Sequence, residues 1–358
     1  MHIIALSNQK GGCGKTTSAI NLAASLAGLG KKTLLVDLDP QAHATFGLGI
    51  RGDRLESSLY NVLTEQEGRR KHFLEDILVP IDDRLDLAPS HILLSTIEQE
   101  FTNKDESVSS LHQVLASLSF PYDYAVIDCP PSLGFLTFNA LRASQTVIVP
   151  IELGSFSLMG VGKLLSMIEL IRVKLQHTPK VYALSTMVDM RTNFSKHMMS
   201  QIKDTFGDHV LSSVIHQTVA VRESQAKGVP LAKHDPKSKG ALDYRMLAQE
   251  IIGMTAGMAE TGMNGNRLAI AAGRLKDFMV EARGAREVHL VGDFNNWSVS
   301  TDSLLWQKEE GVWQKRVFLD PGRYRYKFVI DGEWATDPGN QHLESNPYGG
   351  VDSVLDIE

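Results

Sequence analysis

The chain has 358 residues, 43% apolar and 22% charged, with a formal net charge of −6. This is the balance of an ordinary globular protein of one or two domains, and the longest apolar runs, such as TVIVPI at 146–151, are far too short to span a bilayer. Two cysteines, Cys13 and Cys129, exclude a disulfide scaffold and fit a reducing cytoplasm, and MHIIALS runs into a polar glycine-rich loop instead of a secretory apolar segment.

In chain order, short apolar runs alternate with helical patterns. The runs are HIIALS (2–7), TLLVDLD (33–39), RLDLAP (84–89), YAVIDC (124–129), TVIVPI (146–151), VYALSTMV (181–188) and HVLSSVI (209–215). Most are continuously apolar, as strands buried on both faces of a parallel sheet read. Segments such as Lys15–Leu29 and Leu158–Lys174 are long enough for intervening helices, so a doubly wound α/β domain is expected over 1–257. GMTAGMAETGMNGN (253–266) reads as a linker. RLAIAAGRLKDFMVEAR (267–283), with Leu268, Ala271, Leu275, Phe278, Met279 and Ala282 at helical spacing, reads as a short amphipathic helix, so 258–284 is expected to connect two domains. From 285 the character changes. The last 74 residues hold 10 of the 25 aromatics, in runs EVHLVGDF, VWQKRVFL, RYRYKFVID and SVLDIE separated by turn signals. That is an all-β pattern, expected to form a small sandwich over 285–358.

QKGGCGKTT lies between a predicted strand and a predicted helix, the context that a phosphate-binding loop needs. Gly11, Gly12 and Gly14 let the backbone curl its N–H groups inward around Cys13, and the helix offers its positive end to the anion. Lys15 can reach β- and γ-phosphates, Thr16 can give a hydroxyl oxygen to Mg²⁺, and Thr17 completes the nucleotide-binding stretch. The common spacing G-x-x-x-x-G-K-[ST] fails at its first position, where Gln9 stands, and an additional Lys10 follows. VDLDPQ ends one strand with Asp37 and Asp39, and YAVIDCPPS ends another with Asp128. Carboxylates at that edge of an open sheet can hold Mg²⁺ through water or orient an attacking water.

KGGCGKTT, VDLDPQ and YDYAVIDCPPS together resemble the deviant-Walker ATPases of the ParA/Soj/MinD group. The similarity continues through LTFNALRAS, VIVPIE and TMVDMRTNFSKHMMSQIKDTFGDHV. It leans toward ParA and Soj, since no membrane helix is expected and the short N-terminus leaves no room for a helix-turn-helix extension. The resemblance implies a Mg²⁺-dependent ATPase whose ATP form is a homodimer. Lys10 would cross the interface to the partner's phosphates, Gly12 would lie close to it, Asp39 would position the hydrolytic water, and Asp128 would support Mg²⁺ through water. It also implies non-specific DNA binding by the ATP form, placing the protein on the nucleoid, and a partner protein that stimulates hydrolysis.

The segment expected near the adenine and the DNA face departs from the group. In IHQTVAVRESQAKG (215–228), His216, Gln217, Thr218 and Ala220 stand where the group has Pro, Arg, Asn and Arg, and Arg222 is displaced by two positions. Arg191 stands where the group uses an arginine for DNA. From Arg172 to Arg245 there are 12 Lys+Arg against 6 Asp+Glu, so a basic excess survives. Arg191, Lys196, Arg222 and Lys227 are the candidate phosphate contacts. Cys13 and Cys129 fall near the expected nucleotide, and a redox role for them is left open.

EVHLVGDFNNWS, GVWQKRVFLDPGRYRYKFVIDGEWATDP and NPYGGVDSVLDIE resemble the glycogen-binding module of the AMP-activated kinase β subunit, in order and spacing. That resemblance implies an immunoglobulin-like β-sandwich that binds α-1,4-linked glucans, with Trp297, Lys327 and Trp334 matching the module's sugar-contacting Trp, Lys and Trp. At the last loop Tyr348 falls near a family Leu and Asp352 replaces a family Asn. Alternation in RYRYKFVI puts Tyr324, Tyr326, Phe328 and Ile330 on a core face and Lys327 on the other. The expected whole is an ATP-switched positioning protein with a glucan-associated cargo. The alternatives are an ATPase whose sandwich docks a protein, and a plain partitioning ATPase without sugar binding.

Overall fold

The computed structural model describes residues 1–52, 55–64, 72–100, 108–119, 121–154, 161–189, 191–260, 274–300, 303–309, 311–319, 322–346 and 349–357. They form two compact units, Met1–Asn264 and Gly265–Glu358.

The first unit is built on eight strands: β1 His2–Leu6, β2 Thr33–Asp37, β3 Val79–Asp82, β4 Leu85–Ala88, β5 Tyr124–Asp128, β6 Thr146–Glu152, β7 Lys180–Val188 and β8 Val210–His216. Their order in the sheet is β3-β4-β2-β5-β1-β6-β7-β8, and every neighbouring pair is parallel except β3 with β4. Alternate side chains of the central strands enter two separate cores. Ile4, Leu6, Leu35 and Val126 pack with Ala19, Leu22 and Leu26 of the helix Lys15–Gly28 and with Tyr244, Leu247 and Ile251 of the helix Lys239–Glu260. Ile3, Ala5, Leu34, Val36 and Ile127 pack with Leu111, Val114 and Ala140 on the other face. Each fully buried Leu, Ile or Val contributes about 1.5–3 kcal/mol, so a strand apolar on both faces is stable only between two helical layers. That accounts for the continuous runs. In-register pairing of Leu6 and Asp37 with Asp128 brings the ends of β1, β2 and β5 together.

Two expectations between the units are corrected. Residues 253–260 are not linker but the last two turns of the helix Lys239–Glu260. Glycine costs about 1 kcal/mol in a helix interior. Here Met254 packs against the core and Thr255 Oγ1 meets Tyr124 Oη at 2.6 Å, which holds the helix on. The amphipathic helix expected over 267–283 is, where described, a strand, β9 Arg274–Glu281. Phe278 and Val280 are buried and Met279 is exposed, a period of two that competes with the helical reading of the same residues. Pairing decides the matter, because β9 runs antiparallel to the strand Val312–Leu319, from Arg274↔Leu319 to Glu281↔Val312.

The second unit has β9, β10 Val288–Gly292, β11 Trp306–Glu309, β12 Val312–Leu319, β13 Gly322–Ile330, β14 Glu333–Ala335, β15 Leu343–Ser345 and β16 Val351–Ile357. One sheet has the order β11-β12-β9. The other has β10-β13-β16-β15, with β14 beside β13. Both sheets feed one core: Phe278, Val280, Trp313 and Leu319 from the first, Val288, Leu290, Tyr326, Phe328 and Ile357 from the second. This is an all-antiparallel β-sandwich. Tyr324 and Ile330 pack against the core, so the four residues expected to share a face do so. No described helix of either unit is long and apolar enough to cross a membrane.

Candidate nucleotide and carbohydrate sites

The phosphate loop leaves β1 and enters the helix Lys15–Gly28 through Gly14 at φ 86°, with Gly12 at φ 75°. These left-handed positions demand glycine, and a Cβ added at Gly11 or Gly12 would meet nothing within 4 Å, so the loop backbone borders open space there. Thr186 of β7 donates through Oγ1 to the Cys13 carbonyl at 2.8 Å, pinning the loop from outside. Lys15 is buried and its Nζ donates to the Lys10 carbonyl at 3.0 Å. Lys10 Nζ in turn donates to Glu152 Oε2 at 2.7 Å. Thr16 and Thr17 stand half-buried in the first helical turn.

Asp37, Asp39 and Asp128 are all buried at the carboxyl edge of the sheet. Asp37 is occupied with scaffolding: Oδ2 accepts from the Thr45 N–H and hydroxyl, both at 2.7 Å, and Oδ1 from the Asp39 N–H at 3.3 Å. Burial pushes its carboxyl well above the usual range, against those hydrogen bonds. Asp39 Oδ1 accepts from the Gln41 N–H at 3.0 Å. Asp128 differs. Neither of its oxygens has a well-formed hydrogen bond among the described residues. Burial first, and then the Asp37 carboxylate, drive it well above the usual carboxylate range, while the Thr16 hydroxyl and Lys15 oppose the rise. A buried carboxylate without partners is costly, and a divalent cation beside it removes the cost. Asp128 and Thr16 therefore fit a Mg²⁺ ion held through oxygen and water, and the open loop with Lys15 fits its phosphates.

Residues missed at the sequence level complete this site. Glu152 ends β6 as Asp37 and Asp128 end their strands, so the reading applied to them would have found it. Thr45 and Thr186 carried no local signal. Cys13 and Cys129 are both buried, and burial pushes both thiols up. Neither has the character of a reactive thiolate.

The candidate DNA residues lie on, or just before, the two helices that flank β8 in the chain. Arg191 precedes the helix Asn193–Phe206, which bears the exposed Lys196. Its guanidinium grips Asp189 at both ends, Nε to Oδ1 at 2.8 Å and Nη2 to Oδ2 at 2.6 Å. Arg222 and Lys227 are exposed on the helix Val219–Lys227. Lys227 Nζ lies 3.3 Å from His234 Nδ1. His216, in place of the expected Pro, turns inward. Its backbone N–H and Nδ1 both meet Asp243 Oδ2 at 2.9 Å, and Lys239 takes Oδ1 at 2.9 Å.

In the sandwich, Trp297, Lys327, Trp334 and Asp352 are brought to one place. Trp334 opposes Val329 on β13, two residues from Lys327, and the Tyr326↔Ser353 register puts Asp352 beside Lys327. Trp297 is at φ 59° and the preceding Asn296 at φ 53°. A bulky residue in the left-handed region is strained, and the surroundings enforce it: the Trp297 N–H donates to the Gly292 carbonyl and its indole Nε1 to Asp293 Oδ1, both at 3.0 Å. Asp293 Oδ2 accepts from the Arg325 N–H at 2.7 Å, which ties the loop to β13. The indoles of Trp297 and Trp334 lie 6.3 Å apart, tilted by 30°. Trp334 is 52% exposed. Lys327 Nζ is 3.3 Å from Asp352 Oδ1, and Asn346 Nδ2 donates to the same oxygen at 2.8 Å. Tyr348 lies outside the described residues.

The comparisons with known proteins agree with this geometry. Residues 1–181 match the family model for an AAA domain, and residues 279–358 match the one for the glycogen recognition site of AMP-activated protein kinase. The sporulation initiation inhibitor protein Soj of Bacillus subtilis is 39% identical over 250 residues, 70% of this chain and 97% of Soj. The chain belongs to the Soj/ParA family. The chromosome partitioning protein ParA of Myxococcus xanthus is 38% identical over 252 residues, 70% of this chain and 87% of that one. Among solved structures, cobyrinic acid a,c-diamide synthase from Mycobacterium smegmatis, with a bound ATP analogue and magnesium, is 34% identical. It superposes with TM-score 0.61 over 70% of this chain and 94% of its own. The region beyond that family's length is the sandwich.

Proposed function

We propose that the N-terminal unit is a MgATP-hydrolysing dimerisation switch whose ATP form binds duplex DNA without sequence preference, and that the sandwich binds an α-glucan such as glycogen. In this reading the protein works on the nucleoid, in the cytoplasm, and positions a glucan-associated cargo. The observation that carries it is the presence on one chain of two built sites: a phosphate loop backed by the buried Asp128, whose oxygens have no well-formed hydrogen bond among the described residues, and the Trp297–Trp334 platform backed by Lys327.

The loop N–H groups and Lys15 bind the phosphates, and Thr16 with Asp128 hold Mg²⁺. The metal, when bound, neutralises charge on the β- and γ-oxygens. Asp39 orients the attacking water. Lys10 leaves Glu152 for a second protomer's phosphates, where an added cation stabilises the developing charge as an arginine finger does. At the sandwich, the indoles meet the C–H faces of sugar rings, and Lys327 and Asp352 meet the hydroxyls. A 30° tilt between platforms suits a chain that curves.

The test is bridging. Full-length protein mixed with duplex DNA and glycogen is sedimented at low salt. DNA should pellet with glycogen in MgATP and stay in the supernatant with MgADP. DNA binding without glycogen sedimentation would favour a sandwich that docks a protein instead.

A further inference from the structure

The helix Val219–Lys227 is fastened to the nucleotide-binding unit at two kinds of place. One lies at and just past the end of the helix. Gly228, at φ 65°, ends the helix so close to Gly49 that a Cβ on Gly228 would lie 2.7 Å from the Gly49 Cα. Just beyond, the Leu231 N–H makes a buried hydrogen bond to Asn21 Oδ1 at 2.8 Å. The other is exposed: Gln225 Nε2 donates to Thr17 Oγ1 at 2.8 Å. Thr17 stands in the first turn after the phosphate loop, among the N–H groups that an anion would face.

Which residues share a side of this helix follows from spacing and contacts. Arg222 lies three residues before Gln225, on the flank that reaches the phosphate loop. Glu223 and Lys227 lie on the flank that meets His234, through contacts of 3.2 and 3.3 Å. The two expected DNA cations of the helix are thus on different sides, and the Arg222 side is the one joined to the loop.

We propose that Gln225 is a positioning residue: through Thr17 it ties the helix Val219–Lys227 to the phosphate loop, so that a nucleoside triphosphate at the loop fixes the helix and Arg222 upon it. This rests on the nucleotide reading given above. The chemistry is that of a shared hydroxyl. Thr17 has one O–H to give and lone pairs to receive. It receives from Gln225, which leaves the O–H for an acceptor. A phosphate oxygen is a charged acceptor, and a hydroxyl that donates to an anion becomes a better acceptor for the amide behind it. Binding at the loop therefore tightens the Gln225 contact. A carboxylate at 225 could not donate, and would repel the phosphate.

The test uses the full chain with Mg²⁺ and a non-hydrolysable ATP analogue. Calorimetry gives affinity, and hydrogen exchange gives protection of the amides of 222–228. In wild type the analogue should slow their exchange by roughly tenfold or more. Gln225→Leu should bind the analogue within about threefold of wild type yet lose that slowing. Gln225→Lys, which keeps a long donor, should retain it. Gln225→Glu should weaken analogue binding by about tenfold. Full slowing in Gln225→Leu, or wild-type affinity in Gln225→Glu, would overturn the proposal. So would complete loss of analogue binding in Gln225→Leu, which would make Gln225 a binding residue. Failure of wild type to bind the analogue would overturn the nucleotide reading itself, and this inference with it.

Discussion

Lys10 Nζ sits 2.7 Å from Glu152 Oε2, so the lysine expected to act on a second protomer is held by a carboxylate at the end of its own sheet. The pair is about one-third exposed on each side. Pairs this exposed to water contribute at most about 1 kcal/mol, so a phosphate can outcompete the carboxylate. Glu152→Gln should therefore leave the fold unchanged and shift ATP-dependent dimerisation to lower protein concentration. Light scattering with MgATP across a dilution series measures this. In the same assay Asp39→Ala should give a dimer that persists, since its water is no longer oriented, and Lys10→Ala should remain monomeric.

Lys15→Ala removes a buried ammonium from the mouth of the loop. Lys15→Ala should lower MgATP affinity by at least about a hundredfold, as loss of a charge-assisted contact of about 3 kcal/mol would give. Calorimetry of variant and wild type decides it, and equal affinities would refute the assigned phosphate site.

Asp128 makes a prediction about pH. Its carboxyl is raised above the unfolded value, chiefly by burial. A raised carboxyl favours the fold while protonated, so its contribution is complete below the ordinary carboxylate range and is lost as pH rises through the folded value. Without metal or nucleotide, the contribution of Asp128 should fall from pH 4 upward, by at most about 1.4 kcal/mol per pH unit, while His2, His112, His177 and His209, whose imidazoles burial pushes down, add stability over the acidic part of that range. Asp128→Asn should flatten that decline, with a residual slope from Asp37, and should be more stable than wild type at pH 8. Urea midpoints from pH 5 to 9 test this, and the same substitution should abolish the stabilisation that MgATP gives wild type.

The sequence was most legible where chemistry and fold coincide. Lys15, Thr16 and Asp128 could be named because a glycine loop between strand and helix, and acids at strand ends, have one economical use. The parallel sheet was legible because both-face burial leaves continuous apolar runs. What failed lay where two periods fit the same residues. Phe278, Met279 and Ala282 suit a helix, Phe278 and Val280 suit a strand, and only pairing with β12 selects between them. The β3–β4 hairpin, short and half-exposed at the sheet edge, had no apolar run to announce β3. Thr186 and Gln225 act on the phosphate loop from 173 and 208 residues away, a relation that only the fold creates.

Arg191 is held at both guanidinium ends by Asp189, and the paired arginine keeps that carboxyl at about 2, so the pair is fully ionised at neutral pH. An arginine so engaged has fewer donors for a phosphate. Asp189→Ala should strengthen DNA binding by the ATP form, and Arg191→Ala should weaken it. Both effects should shrink as salt rises, since each phosphate contact adds about 0.9 to the slope of log affinity against log salt. Fluorescence anisotropy with duplexes of two unrelated sequences measures affinity and slope together. Unequal affinity for the two sequences would contradict non-specific binding.

The sandwich face gives the last prediction. Trp297 is held in a left-handed conformation by its own hydrogen bonds to Gly292 and Asp293, and Asp293 ties the loop to β13 through the Arg325 N–H, a strain without packing value for a ring left half-exposed. Trp334 faces it across 6.3 Å and is more exposed still. Two large rings kept at the surface at that cost indicate a ligand with flat apolar faces. Lys327 and Asp352 add a cation and an acceptor at the floor, but they already engage each other at 3.3 Å. A sugar hydroxyl must share them, so the aromatic pair should carry most of the affinity. Trp334→Ala should lower glycogen affinity by about five- to thirtyfold, the loss of a stacking contact of about 1–2 kcal/mol, and Trp297→Ala should do the same. Lys327→Ala should cost more in stability than in binding, because it leaves the buried Asp352 carboxylate with the Asn346 amide but without its counter-cation. Lys327→Ala with Asp352→Asn should recover the stability without recovering the lost part of the affinity. Co-sedimentation of the full chain with glycogen, alongside thermal midpoints, separates these terms. Glycogen binding that survives removal of both indoles would refute the assigned face.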